Sequence, residues 1–136
     1  MKFLTGFCVV IFLCGCSART SDEEKVRAAI TSMENAAEAR DTRGVLEWIA
    51  EDYADSQGLS HAELASFLRG YFLAHPKIEL MVSVENLQFP ADGLAQAQIN
   101  VTRLGLGDTD RASFKVEFRR SGDEWRVSRA DRASSP

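Results

Sequence analysis

The sequence predicts an α+β domain in which helices come first and a curved antiparallel sheet wraps them. Three observations carry this. Apolar residues recur at helical spacing in the stretches before residue 75, the period changes to two after Pro76, and every stretch has one apolar side that another layer must cover. With 136 residues, 45% hydrophobic and 26% charged, the chain has room for one domain and belongs to the ordinary globular class. The net charge of -4 and isoelectric point near 5.2 supply no positive field for phosphate backbones, so nucleic acid is excluded as a partner. Cys8, Cys14 and Cys16 all lie in the first sixteen residues. The rest of the chain can form no disulfide and no thiolate metal site, and no metal or cofactor is expected.

The N-terminus comes first. Lys2 precedes a run of eleven mostly apolar residues, Phe3 to Leu13, too short for the roughly 20 needed to cross a bilayer. Residues 1–15 are therefore a signal peptide. The run ends Leu13-Cys14-Gly15-Cys16, which resembles the lipobox of bacterial lipoproteins. That resemblance implies cleavage after Gly15 and a lipid on Cys16, with residues 16–21 as a short tether. Ser17, in place of the aspartate that retains such lipoproteins at the inner membrane, implies the outer membrane, with the domain facing the periplasm. Asp22, Glu23 and Glu24 would be repelled by anionic headgroups, so the attachment is expected to be through lipid alone.

Ser21 with Glu24 fits a capping box opening a helix over 22–40, with Val26, Ala29, Ile30, Met33 and Ala37 on its apolar side and Glu34, Glu38 and Arg40 opposite. A short helix over 42–50 carries Val45, Leu46, Trp48 and Ile49. Asp52 to Gly58 has turn chemistry, and Ser60 with Glu63 is a second capping box. The helix it opens presents Leu64, Phe67, Leu68, Tyr71 and Phe72 before His75-Pro76 stops it.

Beyond Pro76, Ile78, Leu80, Val82 and Val84 alternate with polar residues or Met81. Leu87 and Phe89 continue with switched parity past Asn86, which predicts a bulge, and Pro90 to Gly93 is a turn. Ala95, Ala97, Ile99 and Val101 form the inner side of the next strand, Phe114, Val116 and Phe118 that of the one after, and Trp125 and Val127 share a parity on the last. Hairpin loops are expected at Gly105–Asp110 and Ser121–Asp123, and a disordered tail over 133–136. The outer sheet side carries Glu79, Ser83, Glu85, Gln96, Gln98, Asn100, Thr102, Lys115, Glu117 and Arg119, so a monomer is expected, with a dimer through a polar interface on that side as the alternative.

The long first helix, the segment from Trp48 into Glu51-Asp52-Tyr53, the Ser60 helix ending Tyr71-Phe72, and the closing strands Phe114–Phe118 and Gly122–Val127 together resemble the NTF2-like superfamily, the SnoaL-like cones of the cystatin-like fold. The resemblance covers 22–132 and implies a cone of helices inside a curved sheet. It leaves function open, because the fold hosts isomerases, dehydratases, hydrolases and non-catalytic binders. In catalytic members acids, tyrosines or histidines point into the cone, where burial shifts their pKa values. No ionisable residue is found on the inferred inner side of the strands that carry Ile78–Val84, Ala95–Val101 and Phe114–Phe118, and the first helix offers Met33 and alanines.

The acid–base candidates are therefore Asp55 or Asp52 as general base, with Tyr53 donating to a developing oxyanion; the same residues suit a turn beside a half-buried aromatic. Trp48, Tyr71, Phe114, Phe118 and Arg129 are the ligand-binding candidates. Arg129 shares parity with Trp125 and would reach the mouth or pair with Asp131. His61 and His75, a helix length apart, are solvated histidines and not a metal site. The expected protein is a lipid-anchored envelope domain that binds either a small apolar ligand or an envelope protein partner without catalysis; the alternative is a small-molecule enzyme of isomerase, dehydratase or hydrolase type.

Overall fold

Capping chemistry starts the helices of the computed structural model, which describes residues 21–105 and 107–133. The expected signal peptide over 1–15, the expected lipidation site Cys16 and tether to Thr20, and residues 134–136 lie outside the described residues. Ser21 accepts the Glu24 N–H at 3.2 Å and opens α1 (Asp22–Glu38), which buries Val26, Ala29 and Ile30. The helix ends two residues before the expected Arg40, which takes a left-handed φ of 54° and donates its guanidinium to the Phe72 carbonyl at 3.2 Å.

Asp41 caps α2 (Thr42–Leu46) by accepting the Gly44 N–H at 3.0 Å. This helix is shorter than the expected 42–50. Tertiary pairing takes its last residues: the Val127 N–H donates to the Trp48 carbonyl at 2.8 Å and the Ala50 N–H to the Val127 carbonyl at 2.9 Å. Both halves of the Ser60–Glu63 capping box form and open α3 (His61–Ala74).

The strands β1 (Glu79–Ala91), β2 (Leu94–Leu104), β3 (Thr109–Ser121) and β4 (Glu124–Arg132) form one antiparallel sheet in chain order. β1 runs through Pro90 and Ala91, where a turn was expected. Proline is tolerated there because β1 is an edge strand and its register shifts between Gln88 and Ala91. The hairpin itself turns at Asp92-Gly93, where glycine takes φ 74°.

Two bulges decide which side chains face the helices. The first is at Asn86, whose φ is 53°, and it returns Leu87 to the inner side as its parity predicts. The second lies in β4: Glu117 pairs Arg129 and Phe118 pairs Val127, leaving Ser128 extra, buried, with its hydroxyl donating to the Glu117 carbonyl at 3.2 Å. Beyond it the inward parity is inverted.

The resulting cone has a filled end and a hollow end. At the filled end, beside the two hairpins, Val26, Ala95, Phe118 and Trp125 are at most 1% exposed, and Phe89 packs edge-on to Trp125 with centroids 5.8 Å apart. Trp125 Nε1 donates to Asp22 at 3.2 Å, which ties the start of α1 to β4. At the other end the start of β1, the end of β2, the start of β3 and the end of β4 face the later turns of α1 and the middle of α3 across open space. The inner residues Ala95, Ala97, Ile99, Val116 and Phe118 are buried as their alternation predicts. Arg132 is paired within β4 and the Ala133 N–H donates to the Ser113 carbonyl at 2.8 Å, so order extends past the expected end of the domain. Among the described residues no helix is long and apolar enough to cross a membrane.

Candidate functional site

The hollow end is a cavity of about 800 Å³. Ile30, Met33 and Ala37 of α1, Leu64 and Leu68 of α3, and Leu80, Val82, Ile99, Val101, Phe114 and Val116 of the sheet form its wall, which explains its apolar character. Glu34, Tyr53, Asp55, Gln57 and Arg132 are its polar wall residues.

Tyr53 and Asp55 reach the cavity together. The Tyr53 hydroxyl donates to Asp55 Oδ2 at 2.7 Å and lies 3.4 Å from the Ala130 carbonyl. Asp55 Oδ1 accepts the N–H of Gln57 at 2.9 Å and of Leu59 at 3.1 Å. Oδ1 thus holds the turn that leads into α3, while Oδ2 is taken by the Tyr53 hydroxyl. Burial, followed by the neighbouring Asp55, pushes the Tyr53 hydroxyl far above the ordinary tyrosine range, so it stays a protonated donor.

Asp52 is not in this group. It is exposed and meets Arg119 at 2.9 Å, and that hydrogen bond holds its carboxyl below the ordinary range. The expectation that Asp52 shares the site with Tyr53 is corrected: Tyr53 and Asp55 stand on the cavity wall, whereas the Asp52 carboxylate is turned away to Arg119.

Of the ligand-binding candidates, Phe114 stands on the cavity wall and four do not. Trp48 is half-buried outside it, its backbone engaged by β4. Tyr71 stacks on His75 with ring centroids 4.1 Å apart and belongs to a separate cluster with Val45, Phe72 and Ile78. Phe118 fills the closed end. Arg129 is exposed on the outer side of β4 and pairs with Asp131, because the Ser128 bulge inverts the parity that seemed to aim it inward. Asp131 also accepts the Ser56 N–H at 2.8 Å; Arg129 and then this N–H hold its carboxyl below the ordinary range. His61 and His75 lie at opposite ends of α3, and among the described residues no group of three acids, histidines or cysteines could hold a metal ion.

Ala130, Arg132 and Glu34 are wall residues that escaped the sequence reading. The same bulge that sends Arg129 out brings Ala130 and Arg132 to the cavity. Glu34, assigned to the solvent side of α1, stands on the wall beside Met33. Its spacing held the clue: it is four residues after Ile30 and three before Ala37, both on the inner stripe. Burial, then the like charge of Glu38 one turn on, raises its carboxyl above the ordinary 4.5.

No family model matches the chain, and no curated protein matches it. Solved structures do. An NTF2-like protein of unknown function from Shewanella oneidensis aligns over 84% of this chain and all of its own, with TM-score 0.70 and 13% identity. A cystatin-like fold domain from Nostoc punctiforme covers 86% of this chain and 79% of its own, with TM-score 0.71 and 19% identity. A scytalone dehydratase-like protein from Novosphingobium aromaticivorans covers 84% of each chain, with TM-score 0.69 and 8% identity. These neighbours include enzyme-like proteins and proteins of unknown function, and what they share with this chain is architecture: the NTF2-like cone, with helices packed in a curved antiparallel sheet.

Proposed function

We propose that this domain binds a small, mainly apolar molecule in the hollow end of its cone, without catalysis, and that a lipid on Cys16 holds it at the cell envelope, facing the periplasm. One observation carries the reading: a cavity of about 800 Å³ with an apolar wall, within the roughly 300–1,000 Å³ of small-molecule sites. Empty apolar space of that size forfeits packing contacts, which an apolar ligand would restore. A net charge of -4 accords with attachment by lipid alone. The polar outer side of the sheet favours a monomer, and a protein partner at the envelope is the competing occupant.

Native mass spectrometry of the protein purified gently from the envelope tests this. A reproducible adduct on the monomer is expected, and a bare mass in every preparation overturns it. Metabolic labelling with a fatty-acid analogue tests the anchor, with loss of label expected in Cys16→Ser.

The second reading is an acid–base enzyme of isomerase, dehydratase or hydrolase type. It is favoured by the position of Asp55 and Tyr53 on the cavity wall. Against it, Asp55 already accepts three hydrogen bonds and the Tyr53 proton is directed at Asp55 itself, so a substrate would have to displace contacts that hold the turn.

A further inference from the structure

Resting on the ligand-binding reading above, we propose that Glu34 selects the ligand: the cavity takes a small apolar molecule bearing one protonated amine, and the ammonium sits against the Glu34 carboxylate. The wall offers a choice of polar contacts, and their engagement decides between them. Asp55 is occupied by Tyr53 and two backbone N–H groups. Glu34 has neither a hydrogen bond nor an ion pair among the described residues, although it is half-buried on an apolar wall. A carboxylate so placed lacks the solvation of an exposed one and gains more from a cation than a surface carboxylate does.

The surroundings of Glu34 have the same sign. Glu38 lies one turn further along α1, the last turn of α1 has no basic residue, and the C-terminal end of a helix carries partial negative charge. Arg40, just beyond the helix, is turned to the Phe72 carbonyl on α3. A ligand cation would relieve the repulsion between Glu34 and Glu38 that nothing on α1 offsets. Phe67 and Phe114 share the wall and supply rings on which an ammonium can rest. Arg132, on the wall at the end of β4, is the group that would instead recognise a carboxylate, and it defines the opposing outcome.

Three probes of equal chain length, decylamine, decanol and decanoate, separate these outcomes when titrated at pH 7, below their aggregation limits, into residues 17–136. That segment holds every described element and the whole core. Decylamine is expected to bind at least about tenfold more tightly than decanol, the scale of one hydrogen bond to a charged group. Glu34→Gln should bring the two within about twofold while leaving decanol binding intact, which also shows that the variant is folded. Decanoate binding most tightly, or an amine preference that survives in Glu34→Gln, overturns the inference. Decanol binding with no amine preference overturns it and leaves the apolar cavity reading standing, whereas binding of none of the three removes both.

Discussion

The Tyr53 hydroxyl and the Asp55 carboxylate, 2.7 Å apart, form a closed unit at the cavity wall in which donor and acceptor satisfy each other. The unit belongs to the folding of the loop as much as to the cavity. Asp55 organises the turn through the Gln57 and Leu59 N–H groups, while the loop is fastened to β4 by Ala54 N–H to the Ser128 carbonyl and Ser56 N–H to Asp131.

Loss of one hydroxyl should therefore cost less than loss of the carboxylate. Tyr53→Phe is expected to lower stability by about 1 kcal/mol, a single net hydrogen bond, and Asp55→Ala by about 2–3 kcal/mol, because two backbone donors also lose their partner. Urea denaturation measures both. Equal effects would mean that the Asp55 contacts with the turn contribute nothing.

The two ends of the cone should respond oppositely to added volume. Val101 borders open space, so Val101→Phe is expected to leave the melting temperature within a few degrees and to abolish ligand binding. Ala95 is fully buried at the filled end, and Ala95→Leu should cost about 1–3 kcal/mol by overpacking. Thermal melts and probe titration on the two variants check this contrast.

Trp125 holds α1 to the last strand. Its ring is buried, its Nε1–H reaches Asp22, and Arg120 lies over the ring at 5.7 Å while pairing with Asp22 at 3.4 Å. Trp125→Ala is expected to cost about 3–5 kcal/mol, and Asp22→Ala about 1 kcal/mol, since its carboxylate is half-exposed. Hydrogen exchange should show that the Asp22 variant loosens the first turn of α1 before the sheet.

Acidification should act in two opposite steps. Glu34 is raised, so between its ordinary 4.5 and its higher folded value the folded state binds more protons than the unfolded one. Stability from this group is present below that window and lost as pH rises through it, so the wild type should gain melting temperature relative to Glu34→Gln as pH falls from neutrality to 4.5. Asp131 is lowered, so its contribution is present above 3.8 and lost as pH falls through its folded value. Asp131→Asn should lack that part of the acid-side decline. Melting curves of the two variants against pH give both signs.

Local chemistry made much of this architecture legible. Ser21 and Ser60 mark helix starts because a side-chain oxygen three residues before a backbone donor has an immediate structural use. The inner sides of β1, β2 and β3 follow from a period of two, and the Asn86 bulge from a change of parity. The position after α2 where Tyr53 and Asp55 meet was also visible, although their mutual hydrogen bond was not.

Other features depend on groups distant in sequence. Trp48 and Ile49 leave the helix because β4 supplies backbone partners, and no local preference reports a strand 78 residues away, the separation of Ile49 from Val127. One extra residue at Ser128 exchanges Arg129 for Ala130 and Arg132 on the inner side, and it is the pairing of β4 with β3 that makes room for that residue. Glu34 lies at the margin of the apolar stripe, and only the packing of α1 over the mouth turns that margin inward. By itself the sequence determined the order of helices and strands, the apolar inner face and the lack of internal cysteine chemistry, all of which follow from local spacing and composition. Tertiary structure alone decided that one end of the cone is filled and the other hollow, because a cavity is set by the distance between layers, and identical apolar patterns can line a packed core or a void.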